Sequence, residues 1–346
     1  MLSTRLISDG DSQPSALLRL LNLGARYLVF LFRLPLRRDL LVSKAFLIAA
    51  PRWVRFAPQS AIFPLVAVSA TKAIPEVLLP GSTLTASKDF FTSMPSKCAV
   101  GNILYSWNYA YNVNNVKGTP KTIQDFFNTK KFPGKRAIYN GALTNLEIAL
   151  AADGVKPGKG GANIYEALET EAGVERAMNK IKELCTDPKG GCVFWSAGAQ
   201  PPELLVSGEV VMATGWNGRF FGAEVGEGAP IKQVWDAQGL DYEYFVQVKD
   251  GPNYANGNAM KALAMMTNTE MLAGSAKHIA YAPWRKSSLA IIEKNEPWYK
   301  DGKTNMLSQM PTAPANTKNY FLVDPIYWAD NGTELGEKWE AMKAGL

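Results

Sequence analysis

The chain has 346 residues, 47% of them hydrophobic and 20% charged, which gives room for about two globular domains and excludes a disordered chain. Its formal charge of +6 is confined to residues 1–60, which hold eight Arg, one Lys and three Asp, while the remaining 286 residues hold 28 basic and 28 acidic side chains. The basicity is local, so a general phosphate-binding surface is not implied and nucleic acid is not an expected partner.

The usage of basic residues changes along the chain. Residues 1–60 prefer Arg and contain no Glu, whereas residues 91–346 hold four Arg and 22 Lys. We read 1–81 as an atypical basic and apolar segment: a targeting piece, a fusion or a shifted reading frame. Its apolar runs YLVFLF and LLVSKAFLIAA fall short of the ~20 residues that span a bilayer. RRDLL at 37–41 has a faint likeness to a twin-arginine export signal.

From residue 98 the pattern is regular. NILYSWNYAYN (102–112) reads as a buried aromatic strand containing Tyr105. Thr122 and Asp125 form a capping box opening a helix that ends at FPGK, and RAIYN (136–140) is a short strand. Thr144 and Glu147 form a second capping box, with Asn145 in the first turn and Gly154 at the helix end. PGKGGAN (157–163) is a loop without the residue order of a phosphate-binding loop. One amphipathic helix is predicted over 165–184. Cys185 and Cys192 flank an Asp-Pro/Gly-Gly turn that brings them within reach of a disulfide; Cys98 is left over, and the spacing fits no common zinc site. VFW is a strand, Pro201 and Pro202 open a helix that stops at Gly208, and EVVMATGW (209–216) is a buried strand. Strands at 231–235 and 241–248, helices at 257–267 and 269–279, and a last helix near 333–343 complete the pattern. Alternating strands and helices predict an α/β fold with a largely parallel sheet.

Catalysis is poorly supported. Ser196 in FWSAG has Phe194 where a nucleophile elbow needs glycine, and His278, the single histidine, has no adjacent nucleophile. Binding explains more. Trp195, Trp216, Tyr139 and Tyr244 lie at or near strand ends, where open α/β sheets place their ligand crevice. Asp241 and Glu243 alternate on one side of a strand and read either as a solvated sheet face or as the countercharge for a bound cation, while the free N–H groups of the helix at Thr144 favour an anion.

Over about residues 98–346 the chain resembles the spermidine/putrescine-type extracellular solute-binding proteins of ABC importers. The likeness is carried by CAVGNILYSWNYAYN, FFNTKKFPGKRAIYN, LEIALAADGV, SAGAQPPELLVSGEVVMATGWNG, IAYAP and EKWEAMKAGL. It implies a two-lobed type II periplasmic binding protein fold whose first lobe is atypical or incomplete. The lobes would be a partial lobe 1 over 82–121, lobe 2 over 122–247 and a return to lobe 1 over 248–346, with hinges near 115–122 and 246–252. It further implies a periplasmic monomer without cofactor or metal, which binds a polyamine or related small amine and docks on a membrane permease. Trp216 falls at the family's stacking tryptophan and Tyr281 at a ligand-contacting tyrosine. Gln200 would hydrogen-bond, Asp241 or Glu243 would offset positive charge, and Tyr105, Asn145, Ser196 and Asn217 complete the expected set. Phe245 and the Thr144–Asn145 pair stand where the family carries acidic residues. Two other readings are an enzyme on a bilobal α/β fold and a binder of an amino acid or other carboxylate-bearing solute. A third is a membrane-associated protein using its basic N-terminus.

Overall fold

The computed structural model describes residues 86–93, 99–247 and 257–346. The expectations for 1–81 and for Cys98 lie outside the described residues.

Two long strands organise the fold, β1 (Ala99–Asn112) and β5 (Ile231–Val246). With β2 (Arg136–Tyr139), β3 (Cys192–Trp195), β4 (Met212–Trp216) and β7 (Tyr320–Leu322) they form a sheet in the order β3-β2-β4-β1-β5-β7. The two-residue β6 (Ala282–Pro283) pairs with β1 on its own. The sheet is mixed rather than largely parallel: β1 runs antiparallel to β4, β5 and β6, while β2 runs parallel to β3 and β4, and β5 to β7. The two strands expected at 231–235 and 241–248 are one strand, bent by a register shift in which Trp107 faces Gly239 and Tyr109 faces Val234. Ala237, inside that step, has φ +54°, and the buried Gln238 donates from Nε2 to the carbonyls of Pro311 and Asn316.

The helices follow local signals. The first two are α1 (Ala86–Asp89) and α2 (Ile123–Phe127), the second opened by the expected capping box of Thr122 and Asp125. After β2 comes α3 (Asn145–Ala152), whose start departs from the expected capping box. Thr144 takes φ +63° and its hydroxyl donates to the Leu143 carbonyl, so it does not cap the helix. The helix predicted over 165–184 is two helices, α4 (Ala162–Leu168) and α5 (Glu171–Thr186), because Thr170 caps the second by accepting from Gly173 N–H. Next come α6 (Gln200–Val206), with prolines in its first turn, and the five-residue α7 (Asn217–Phe221). The chain then forms α8 (Asn258–Met266), α9 (Thr269–Ser275), α10 (Lys286–Lys294) and α11 (Pro325–Ala344). The last helix begins earlier than predicted, since Asp324 caps it and Pro325 fits its first turn. Cys185 and Cys192 are disulfide-bonded. No described helix is long and apolar enough to cross a membrane.

Two hydrophobic cores sit on this frame. The larger holds Trp107, Tyr109, Ile138, Leu146, Ile181, Trp195 and Trp339, and so includes α11. The smaller holds Phe90, Val100, Leu104, Ala280, Trp284, Ile292 and Met310. β1 contributes to both, Val100 and Leu104 to one and Trp107 onward to the other. The passage between cores therefore falls at the β1–β5 register step.

Candidate functional site

The C-terminal ends of β2, β3 and β4 each carry an aromatic residue, Tyr139, Trp195 and Trp216, and β1 brings Trp107 and Tyr105 beside them. Trp107 and Trp195 stack with ring centroids 5.9 Å apart, and Trp216 stands edge-on to Trp107 at 5.2 Å and to Trp195 at 5.7 Å. Tyr105 continues the line, 6.5 Å from Trp216 and 6.0 Å from Tyr281. Burial differs among these rings. Trp107 and Trp195 are 2% and 0% exposed and form the floor of the cluster, whereas Trp216, Tyr105 and Tyr281 are half-buried. The Trp216 indole N–H has no acceptor among the described residues.

Asp241 lies opposite Tyr105 in the β1–β5 register. Its Oδ2 accepts from Tyr105 Oη at 2.6 Å and Trp107 Nε1 at 3.2 Å, and its Oδ1 accepts from the Tyr242 N–H at 2.8 Å. Three donors and no acceptor suit the ionised carboxylate. Burial pushes the Asp241 carboxyl above its usual range, and the Tyr105, Tyr242 and Trp107 donors pull it back. Glu243, two residues on and exposed, is raised by partial burial and by the Asp241 charge. Burial and the nearby Asp241 also hold the Tyr105 phenol well above its ordinary value, so it stays a donor.

A cation stands near Tyr281. Arg219, in α7, is exposed and has no carboxylate partner among the described residues. Its charge reaches Tyr281, where it opposes the burial that raises that phenol. It also flanks the loop after β3: a Cβ on Gly198 would collide with the Trp216 ring and come within 3.4 Å of Arg219 Nε. Sequence reasoning missed this residue, although it directly follows the Trp-Asn-Gly that carried the resemblance.

The remaining expected residues hold backbone in place. Asn145 is 2% exposed and donates from Nδ2 to the carbonyls of Tyr139 and Gly141, each at 2.7 Å, which fixes the loop after β2. Gln200 Oε1 accepts from the N–H groups of Ser196 and Ala197 at 2.8 Å and so fixes the loop after β3. Ser196 itself is exposed at that strand end, 3.5 Å from Asn140 Nδ2. Asn217 is fully buried, with both ends of its amide engaged.

Glu147 turns inward rather than capping α3. It is 0% exposed and accepts from Trp328 Nε1 at 2.7 Å and Tyr165 Oη at 3.1 Å, and burial pushes its carboxyl up to about 7. His278 is exposed. Among the described residues no group of three or more His, Cys, Asp or Glu could hold a metal ion.

The aromatic cluster, the Asp241 carboxylate and the Arg219 guanidinium make up the candidate site. The profile of the bacterial extracellular solute-binding proteins matches residues 49–306, and the chain belongs to that family, which is one of binding proteins and not of enzymes. The match takes in residues 49–81, which were expected to lie outside the family. A gamma-aminobutyric acid-binding protein from Pseudomonas aeruginosa is 36% identical over 249 residues, which are 72% of this chain and 65% of that protein. The chain thus spans about two thirds of that relative's length. Among solved structures, an ABC transporter substrate-binding protein from Bradyrhizobium japonicum USDA 110 is 30% identical with a TM-score of 0.59, covering 71% of this chain and 70% of that one. The Atu4243–GABA receptor is 29% identical with a TM-score of 0.58, covering 71% and 69%. These likenesses establish the two-lobed periplasmic binding protein fold.

Proposed function

We propose that this chain is the substrate-binding component of an ABC importer and takes a small amino acid whose amine and carboxylate are at opposite ends, of the gamma-aminobutyric acid class. The observation that carries the reading is that Tyr281, 6.0 Å from the Tyr105 ring that donates to the Asp241 carboxylate, also feels the charge of Arg219, which has no carboxylate partner among the described residues. Asp241, with Glu243 as a second negative charge, receives the ammonium group. Arg219 receives the carboxylate, and the half-buried rings of Trp216, Tyr105 and Tyr281 cover the methylene chain. An ammonium over an aromatic face gains roughly 0.5–2 kcal/mol beyond the charge pair.

A polyamine is cationic at both ends, so Arg219 would repel one of them. The likeness to a gamma-aminobutyric acid-binding protein and to the Atu4243–GABA receptor supports the same choice. The polyamine expected from sequence therefore gives way to an amino acid within the same transporter class. The protein works outside the cytoplasmic membrane, closes its lobes on the solute and hands it unchanged to a permease.

A fluorescence titration tests the reading, because Trp216 lies at the ligand face. Saturable change with gamma-aminobutyric acid and none with putrescine is expected. Saturation by putrescine alone would overturn it.

A further inference from the structure

We infer that Asn217 is the positioning residue of the site, a latch that sets the spacing of three ligand-facing segments without touching ligand itself. The inference rests on the site described above, though not on the identity of the solute. Asn217 follows Trp216 directly and is 0% exposed. Its Oδ1 accepts from the Ser106 N–H at 2.9 Å, and Ser106 lies between Tyr105 and Trp107, the two side chains that hold Asp241. Its Nδ2 donates to the Ala280 carbonyl at 2.5 Å, and Ala280 precedes Tyr281. One amide therefore ties together the segments that carry the stacking ring, the anion cage and the tyrosine.

The latch also crosses between the two cores. Ala280 belongs to the smaller core, whereas Trp107 and Trp216 belong to or pack on the larger. The five-residue α7 that Asn217 opens does the same, since Phe220 is buried in the larger core and Phe221 in the smaller. Gly218 completes the joint, because a Cβ there would collide with the Tyr281 ring. α7 is thus a third tie between the cores beside β1 and β5. It is attached at the mouth of the site, where a shift of one hydrogen bond moves Tyr281 relative to Trp216.

Amide hydrogen exchange in the ligand-free protein, together with ligand affinity, tests this. In Asn217→Ala the Ser106 amide should exchange at least about tenfold faster, because it loses its acceptor. Asn217→Asp keeps an acceptor for Ser106 but loses the donor to Ala280, so Ser106 should stay protected while the Kd for gamma-aminobutyric acid rises about tenfold or more. Gly218→Ala should weaken binding by displacing the Tyr281 ring and leave Ser106 exchange unchanged. Unaltered Ser106 exchange in Asn217→Ala overturns the latch whatever the ligand, and so does wild-type affinity in both Asn217→Asp and Gly218→Ala. Failure of the wild-type protein to bind gamma-aminobutyric acid would instead count against the proposed solute, and the Ser106 exchange would still decide the latch.

Discussion

Tyr105 and Asp241 face each other on neighbouring antiparallel strands, and the phenol donates to the carboxylate at 2.6 Å. The pair keeps a charge at the edge of an aromatic floor, where an isolated carboxylate would be costly. Asp241→Asn should raise the Kd for an amine-bearing ligand by an amount equivalent to about 2–5 kcal/mol, the range for losing one partner of a buried charge pair. Tyr105→Phe leaves the charge but removes one donor, and should weaken binding by roughly tenfold. Calorimetric titration of both variants checks the order.

Arg219 makes a complementary prediction. Arg219→Ala should weaken a carboxylate-bearing ligand by about tenfold, less than Asp241→Asn because Arg219 is exposed. The same change should leave binding of a simple alkylamine unaltered or slightly better, since a positive charge has gone. Equilibrium dialysis with the two ligand types separates these outcomes.

Glu147 predicts a pH dependence of stability. Its carboxyl stands at about 7 in the folded protein against an ordinary 4.5, so folding favours the protonated form. The contribution is fully present below 4.5 and is lost as pH rises toward about 7. At 1.36 kcal/mol per pKa unit the loss is about 3 kcal/mol. Glu147→Gln should therefore melt higher than wild type at pH 8 and show no such gain at pH 4. Thermal scans at the two pH values check it.

The Cys185–Cys192 disulfide closes a short loop between α5 and β3, with a sequence separation of 7. Loop-closure entropy for so few residues amounts to about 2–3 kcal/mol. Replacing both cysteines with serine should lower the melting temperature by several degrees while leaving affinity intact, since none of the ligand-facing side chains lies in that turn.

Much of the site was legible in sequence because aromatic residues at strand ends have few places to go. Trp195 and Trp216 end β3 and β4 and meet edge-on at 5.7 Å, and Tyr105 carries the line of rings on to Tyr281 at 6.0 Å. The polar residues were harder to place. Asn145, Gln200 and Asn217 look like ligand contacts in a list of hydrogen-bonding side chains, yet each is used on backbone, which only three-dimensional neighbours reveal. Arg219 carried the opposite difficulty, since a lone arginine after a turn reads as a solvated charge until its lack of a carboxylate partner is seen. Glu147 had the spacing of a cap, but tertiary packing against Trp328 and Tyr165 drew it inward. The helix over 165–184 split because Thr170 offers a cap that the apolar stripe alone does not show.

The central claim is that the site holds an amine at one end and a carboxylate at the other. Isothermal titration of the wild-type protein with gamma-aminobutyric acid, butylamine, butyrate and putrescine measures it most directly. Tight binding of gamma-aminobutyric acid with much weaker binding of the three single-charge or doubly cationic compounds is the predicted result. Putrescine binding as tightly as gamma-aminobutyric acid, or tighter, would contradict it.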